Sequence, residues 1–306
     1  MKRIQPLATT LTLVSALSLG ASGIAHGGDS WYVSTSISAL AATYSGSEQR
    51  NSQQSSSLLV SADYLDNAGV TLFYNRSEID FKAINGVDND IEQNAFAARL
   101  HYRFFSDTLA GSLTPQLVLQ GISNNDVTTR SDEVSVIAPR LAYLSYGKRF
   151  YVDLEYSLSR YPNNSDLEIS QWSAGIGLGF NRRADWLSLR PYVITSSDER
   201  LTQGESSVQA LELKWLHWFG PDAFLGVRQL SLGAMAGKRM YAVDHDSFAV
   251  YNLADMQEGS LQAGLSWALP AGMDLTSILG SEQYNNSAIN NRYRQNYLYL
   301  NLSKQW

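Results

Sequence analysis

From Trp31 onward the chain alternates apolar and polar positions. In 149–159, Phe150, Val152, Leu154, Tyr156 and Leu158 share one parity, and Tyr151, Asp153, Glu155 and Ser157 share the other. In 95–105, Phe96, Ala98, Leu100, Tyr102 and Phe104 oppose Arg99, His101 and Arg103. Successive side chains of a strand point to opposite faces, so a period of two marks a strand with one apolar and one polar face. The same alternation recurs at 30–44, 56–65, 69–77, 115–123, 134–146, 169–180, 185–196, 208–219, 223–234, 260–269, 273–280 and 293–306. It predicts an all-β chain of about fourteen strands, within bounds of about twelve and sixteen.

The connections sort by length. Seven long ones (45–54, 77–93, 123–133, 160–168, 196–207, 237–259 and 281–293) alternate with six short ones (66–69, 106–114, 146–149, 181–185, 219–223 and 269–272). A soluble sandwich has no reason to sort its loops by parity. A closed antiparallel transmembrane barrel does, with short periplasmic turns at one end and long extracellular loops at the other. An even strand number leaves both termini on the short-turn side.

Composition agrees. The chain has 306 residues, no cysteine, 17% charged residues and a formal net charge of −6. Lys2 and Arg3 precede the apolar run PLATTLTLVSALSLG and the small residues of SGIAHGG. That order is a secretory signal peptide, with cleavage expected after Ala25 or after Gly27. Residues 1–25 are therefore read as the signal and 29–306 as one barrel domain. After the signal, no stretch approaches the ~20 uncharged apolar residues of a spanning helix. The long loops are acidic, whereas Lys148, Arg149, Arg182 and Arg183 make the short turns lean basic.

The chain stops on YLYLNLSKQW, with Leu298, Leu300 and Leu302 on one face and Trp306 at the very end. A free terminus normally frays, so Trp306 must be held. Over 30–306 the chain resembles Gram-negative outer-membrane β-barrels. The resemblance implies residence in the bacterial outer membrane, among its lipid and lipopolysaccharide. It also implies that Leu298, Leu300, Leu302 and Trp306 serve as the signal read by the barrel-assembly machinery. Lys304 departs from the pattern, because that place is usually apolar. The LSKQW ending is also similar to the barrel domains of surface-lipoprotein assembly modifiers and of exopolysaccharide-export proteins. Those proteins carry a helical-repeat domain before the barrel, and here only a few residues separate the signal from the first strand. Trp31, Trp172, Trp186, Trp267 and Trp306 lie near strand ends and are expected to form an interfacial girdle.

A barrel of this size can enclose a lumen, and the inward parity is then expected to be polar. Arg99, Arg103, Arg140, Arg190 and Arg228 are read as a basic wall opposing Asp153 and Glu155, an arrangement that sets selectivity in pores. A bracing network of ion pairs is the plainer alternative. Any constriction has to come from a folded-in loop, and 237–259 is the candidate because it carries Met240, Tyr241, Phe248, Val250 and Tyr251. Gly175, Gly177 and Gly179 sit inside a strand, so they are not a phosphate loop; they leave room for large neighbours or permit curvature. Pro139 and Pro191 interrupt expected strand interiors, which suggests bulges or strand boundaries that lie elsewhere.

These features point to a porin-like channel for polar solutes. A non-channel accessory of polysaccharide or lipoprotein export is the second reading. The third is a hydrolase built on Asp244, His245 and Asp246 with Asp88 and Asp90, where acids would raise imidazole basicity. The residue types are similar to those of omptin proteases, but the spacing around the histidine differs and the strand count is higher. Asp88, Asp90, Asp244 and Asp246 are otherwise candidate ligands for loop-bound divalent cations beside lipopolysaccharide. No resident metal, cofactor or catalytic residue is assigned, and an acidic exported chain is a poor match for nucleic acid. Assembly into a homo-oligomer is left open.

Overall fold

A computed structural model describes residues 30–65, 67–82, 90–125, 129–244, 246–250 and 255–306. The expected signal segment, Asp88 and His245 lie outside the described residues.

One half of the wall comprises β1 (Trp31–Ser45), β2 (Arg50–Tyr64), β3 (Ala68–Phe81), β4 (Ile91–Tyr102), β5 (Phe104–Ser106), β6 (Gly111–Asn124), β7 (Val134–Ser145) and β8 (Phe150–Tyr161). The other half comprises β9 (Leu167–Phe180), β10 (Asp185–Ser196), β11 (Ser207–Trp218), β12 (Val227–Arg239), β15 (Met256–Leu269), β16 (Met273–Asn286) and β17 (Asn291–Gln305). Two further short strands, β13 (Val243–Asp244) and β14 (Ala249–Val250), pair only with each other. β5 continues β4 in unbroken register, since His101 faces Gln116 and Phe104 faces Leu113. The wall therefore has fourteen strands, each antiparallel to its neighbours, and β1 pairs with both β2 and β17. That last pairing, from Ser34↔Gln305 to Ser45↔Arg294, closes the ring. Closure leaves no sheet edge, which a membrane wall requires because lipid offers no hydrogen bonds.

The alternation has its expected physical meaning. Leu72, Phe96, Leu119, Leu141, Leu154, Trp172, Ile176, Leu213, Leu261, Leu279, Leu298 and Leu300 are all exposed on the outer wall. In water so large an apolar band would drive aggregation; in a bilayer it is the solvated surface.

Strand ends differ from the alternation. β2 begins at Arg50 rather than near residue 56, and β16 runs on to Asn286. In these extensions both faces are polar, as in RNSQQSSS, so the period of two carries no contrast there. Three of the long connections consequently shrink to 46–49, 162–166 and 287–290, while the turn after β11 grows to 219–226. Pro139 and Pro191 make no bulge. Register is unchanged on either side of both, and the ladder merely skips the pairs toward β8 and β9.

Trp31, Trp172 and Trp267 face outward, and Trp306 ends the outward parity of β17. Trp186 does not. It shares the inward parity of Arg190 and Tyr192, and its indole lies over Gly177 and Gly179. Apolar composition alone did not reveal this, because the residues to either side of it are Asp185 and Leu187. The short-turn rim is instead supplied with Tyr64, Tyr102, Phe104, Phe105 and Phe180, all exposed.

Trp306 is held by three contacts. Its amide donates to Val33 O at 3.0 Å, its indole N–H donates to Thr35 Oγ1 at 3.1 Å, and the Lys304 ammonium sits 3.5 Å from its ring centroid. That cation–π contact accounts for a lysine at a place where an apolar residue is usual.

Candidate functional site

The lumen has two halves. Toward the long loops, inward-facing Val118, Ile122, Val134, Val136, Ile169 and Ile194 are buried, and they pack around Met240, Tyr241, Ala242, Val243 and Phe248 of the segment between β12 and β15. The β13–β14 hairpin thus lies inside the ring. Gln171 treats Val243 as a strand would, donating to its carbonyl at 2.8 Å and accepting from its amide at 3.0 Å. Gln120 donates to Phe248 O at 3.0 Å. The Phe248 ring stacks on Phe73 at 5.2 Å, beneath the Arg99 guanidinium at 5.0 Å, and Tyr241 meets Tyr161 edge-on at 4.9 Å. Where the segment rejoins the wall, Asp255 forms a buried pair with Arg50, and Tyr293 Oη bridges the two at 2.7 Å from each.

Toward the short turns the lumen is charged. Arg140 on β7 donates to Asp153 Oδ2 at 2.9 Å and to Tyr151 Oη at 2.5 Å. Arg190 on β10 reaches the same Asp153 at 3.0 and 2.8 Å, and approaches Glu155 at 3.5 Å. β9 runs between β8 and β10, so Arg190 must cross an entire strand. Gly175 is the crossing point: a Cβ there would overlap the Asp153 carboxylate and crowd Arg190 Nη2. The arginines and acids are therefore neighbours along one wall rather than opposed across the lumen, as the basic-wall expectation had them.

Among the described residues, the hairpin reaches the Arg140–Arg190 pair through Asp246. Asp246 accepts from Arg140 Nη1 at 2.9 Å and stands 3.9 Å from Arg190 Nη2. Its side chain is 53% exposed, whereas those of Arg140 and Asp153 are 6% and 0% exposed. Enclosure opposes its ionisation, yet Arg140 and Arg190 hold its carboxyl well below the usual carboxylate range. Asp244 is likewise depressed: burial acts against the charge, and Lys214, Arg239 and the Asp246 amide together outweigh it. Beneath the hairpin remains a cavity of about 270 Å³ lined by Arg140, Tyr151, Trp186, Arg190, Lys214 and Asp246, among others.

The remaining expected site residues fall elsewhere. Arg99 faces the lumen but contacts Phe248 and, at 3.4 Å, Thr71. Arg103 occupies the break between β4 and β5 at the short-turn rim, its amide bonded to Asn67 O. Arg228 is not in the lumen: it is the extra residue of a bulge between Val227 and Gln229, exposed at the rim, because the bulge resets the alternation there. Asp90 accepts from the Phe81 amide at 2.8 Å at the long-loop rim, apart from the Asp246 cluster. Among the described residues, no group of three or more His, Asp or Glu is placed to hold a metal ion. Alternation alone does not single out Gln120 and Gln171 as docking residues; their only signal is an amide on the inward parity of otherwise apolar segments.

No family model matches the chain, and no curated protein matches it in sequence. Solved structures do. The toluene transporter TodX of Pseudomonas putida superposes with a TM-score of 0.54 at 8% identity, over 95% of this chain and 93% of that one. A TodX deltaS2S3 mutant described as a monoaromatic hydrocarbon channel gives 0.56 at 9% identity, over 91% of each chain. A bacterial polysaccharide outer membrane secretin gives 0.51 at 10% identity, over 89% of this chain and 98% of that one. At such identities the likeness establishes the fold, that of an outer-membrane β-barrel.

Proposed function

We propose that the protein is a gated outer-membrane channel for small polar solutes that carry an apolar portion, with the β13–β14 hairpin as its gate. The observation that carries this reading is the hairpin itself. It fills the apolar half of the lumen, and among the described residues its hydrogen bonds to the wall are made by Gln120, Gln171 and Arg140, with Arg190 3.9 Å from Asp246. A wall that only needed bracing would be filled by its own side chains; an inserted segment can withdraw. A solute passing through would meet the apolar half first and the charged half next, which suits an amphipathic molecule. The similarity to TodX, a transporter of toluene, supports a lumen that admits apolar groups.

Planar-bilayer conductance tests the proposal. The intact protein is expected to show rare, brief openings, and removal of residues 242–250 is expected to give a steadily open pore. Silence from both proteins, with the barrel inserted, would overturn the channel. That result would favour the second reading, an accessory of polysaccharide export, which the similarity to the polysaccharide secretin supports.

A further inference from the structure

The Arg140–Arg190 fork is a carboxylate site, and the protein fills it with its own Asp246. Asp153 and Glu155 belong to the wall and are buried behind the two guanidiniums, fixing their direction. Asp246 differs from them in two respects. It arrives on the hairpin, and it is half exposed to the 270 Å³ cavity below. Trp186 forms part of that cavity, with one face of its indole laid against the backbone of Gly177 and Gly179. Lys214 lines the same space and is paired with Glu212.

We propose that this cavity binds a small ring-bearing carboxylate, whose acid group takes the place of Asp246 at Arg140 and Arg190 while its ring rests on Trp186. The inference rests on the channel reading and names what the channel takes. Arg140 Nη1 donates to Asp246, and a charge-assisted hydrogen bond is roughly twice as strong as one to a neutral acceptor, so a neutral solute displaces Asp246 poorly, whereas an incoming carboxylate replaces one anionic acceptor by another. The flat indole supplies the second requirement, since ring faces stack on aromatic faces. An aromatic acid and a sugar acid share this chemistry.

Titration calorimetry on the full chain in detergent tests the site with sodium benzoate and sodium glucuronate, and with benzamide as the neutral isostere. At least one acid is expected to bind, about tenfold or more tighter than the amide. Arg190→Gln should weaken that binding by about tenfold, and Arg190→Lys should restore part of it. Asp246→Asn should tighten it by about tenfold, because the internal competitor loses its charge. A residue that merely braced the wall would not give that gain. Benzoate binding alone assigns an aromatic acid, glucuronate binding alone a sugar acid, and binding of both the shared chemistry. Failure of both acids to bind even the Asp246→Asn protein overturns the site, as does equal binding of benzamide or an unchanged affinity in Asp246→Asn. Conductance without acid binding removes this site and leaves the channel; acid binding without conductance does the reverse.

Discussion

Gly175 on β9 faces the lumen and Gly121 on β6 faces outward, with opposite consequences. A methyl group at Gly175 would collide with Asp153 and separate it from Arg190, whereas one at Gly121 meets nothing within 4 Å. Gly175→Ala is therefore expected to cost about 1–3 kcal/mol through forced displacement of a packed side chain. Gly121→Ala should leave stability within about 0.5 kcal/mol. Urea unfolding in detergent, followed by the heat-dependent gel mobility of the barrel, compares the two. Asp153→Asn removes the negative charge shared by two nearly buried guanidiniums, turns one of its two acceptor oxygens into a donor, and is expected to cost about 3–5 kcal/mol in the same assay. Much at this scale was legible in advance: Arg140, Arg190, Asp153 and Glu155 were all on the inward parity. Their partnership was not, because reaching from β10 to β8 depends on the missing side chain at Gly175, and parity says nothing about reach. Trp186 shows the same limit, since a tryptophan near a strand end reads as a lipid anchor until its face is known.

On the proposed gated-channel reading, the hairpin sets the state of the lumen. Phe248 is 2% exposed, stacked on Phe73 and covered by Arg99. Phe248→Ala is expected to weaken docking by about 3 kcal/mol, which raises the open fraction by about a hundredfold. Single-channel open probability measures it. Acid acts through Asp246. Its docked pKa is depressed, so its contribution to docking is complete above the undocked value of about 3.9 and is lost as pH falls through the docked value. Conductance should thus stay flat from neutrality down to about pH 4 and rise only below it. Opening that began between pH 7 and 5 would point away from Asp246. Apolar residues within 237–259 marked this segment as the one to fold inward. What alternation could not show was that half the lumen is apolar: VSVIA of β7 carries Val134, Val136 and Ala138 on the inward parity and Ile137 on the outward one, close to the pattern of a strand buried on both faces, and it reads as an ordinary wall strand.

At the level of the whole molecule, the wall closes through β1 and β17, and Trp306 pins that seam to Val33 and Thr35. Trp306→Ala is expected to lower the fraction of chains that reach the folded, membrane-inserted form, with little change in the unfolding midpoint of those that do. Protease protection in membrane fractions measures the first quantity and urea titration the second. Equal yield with a lowered midpoint would reverse the assignment, making Trp306 a clamp rather than an assembly signal. The seam also fixes an order in time. Ser34 and Gln305 are partners from opposite ends of the sequence, so their pairing is the contact of greatest sequence separation in the wall, with the largest closure entropy and the slowest expected formation. Every hairpin from β2 to β16 can zip as it emerges, but β1 must wait, one edge unsatisfied, until the final fifteen-residue strand has arrived. The most exposed moment in the life of this chain is therefore its last one before closure.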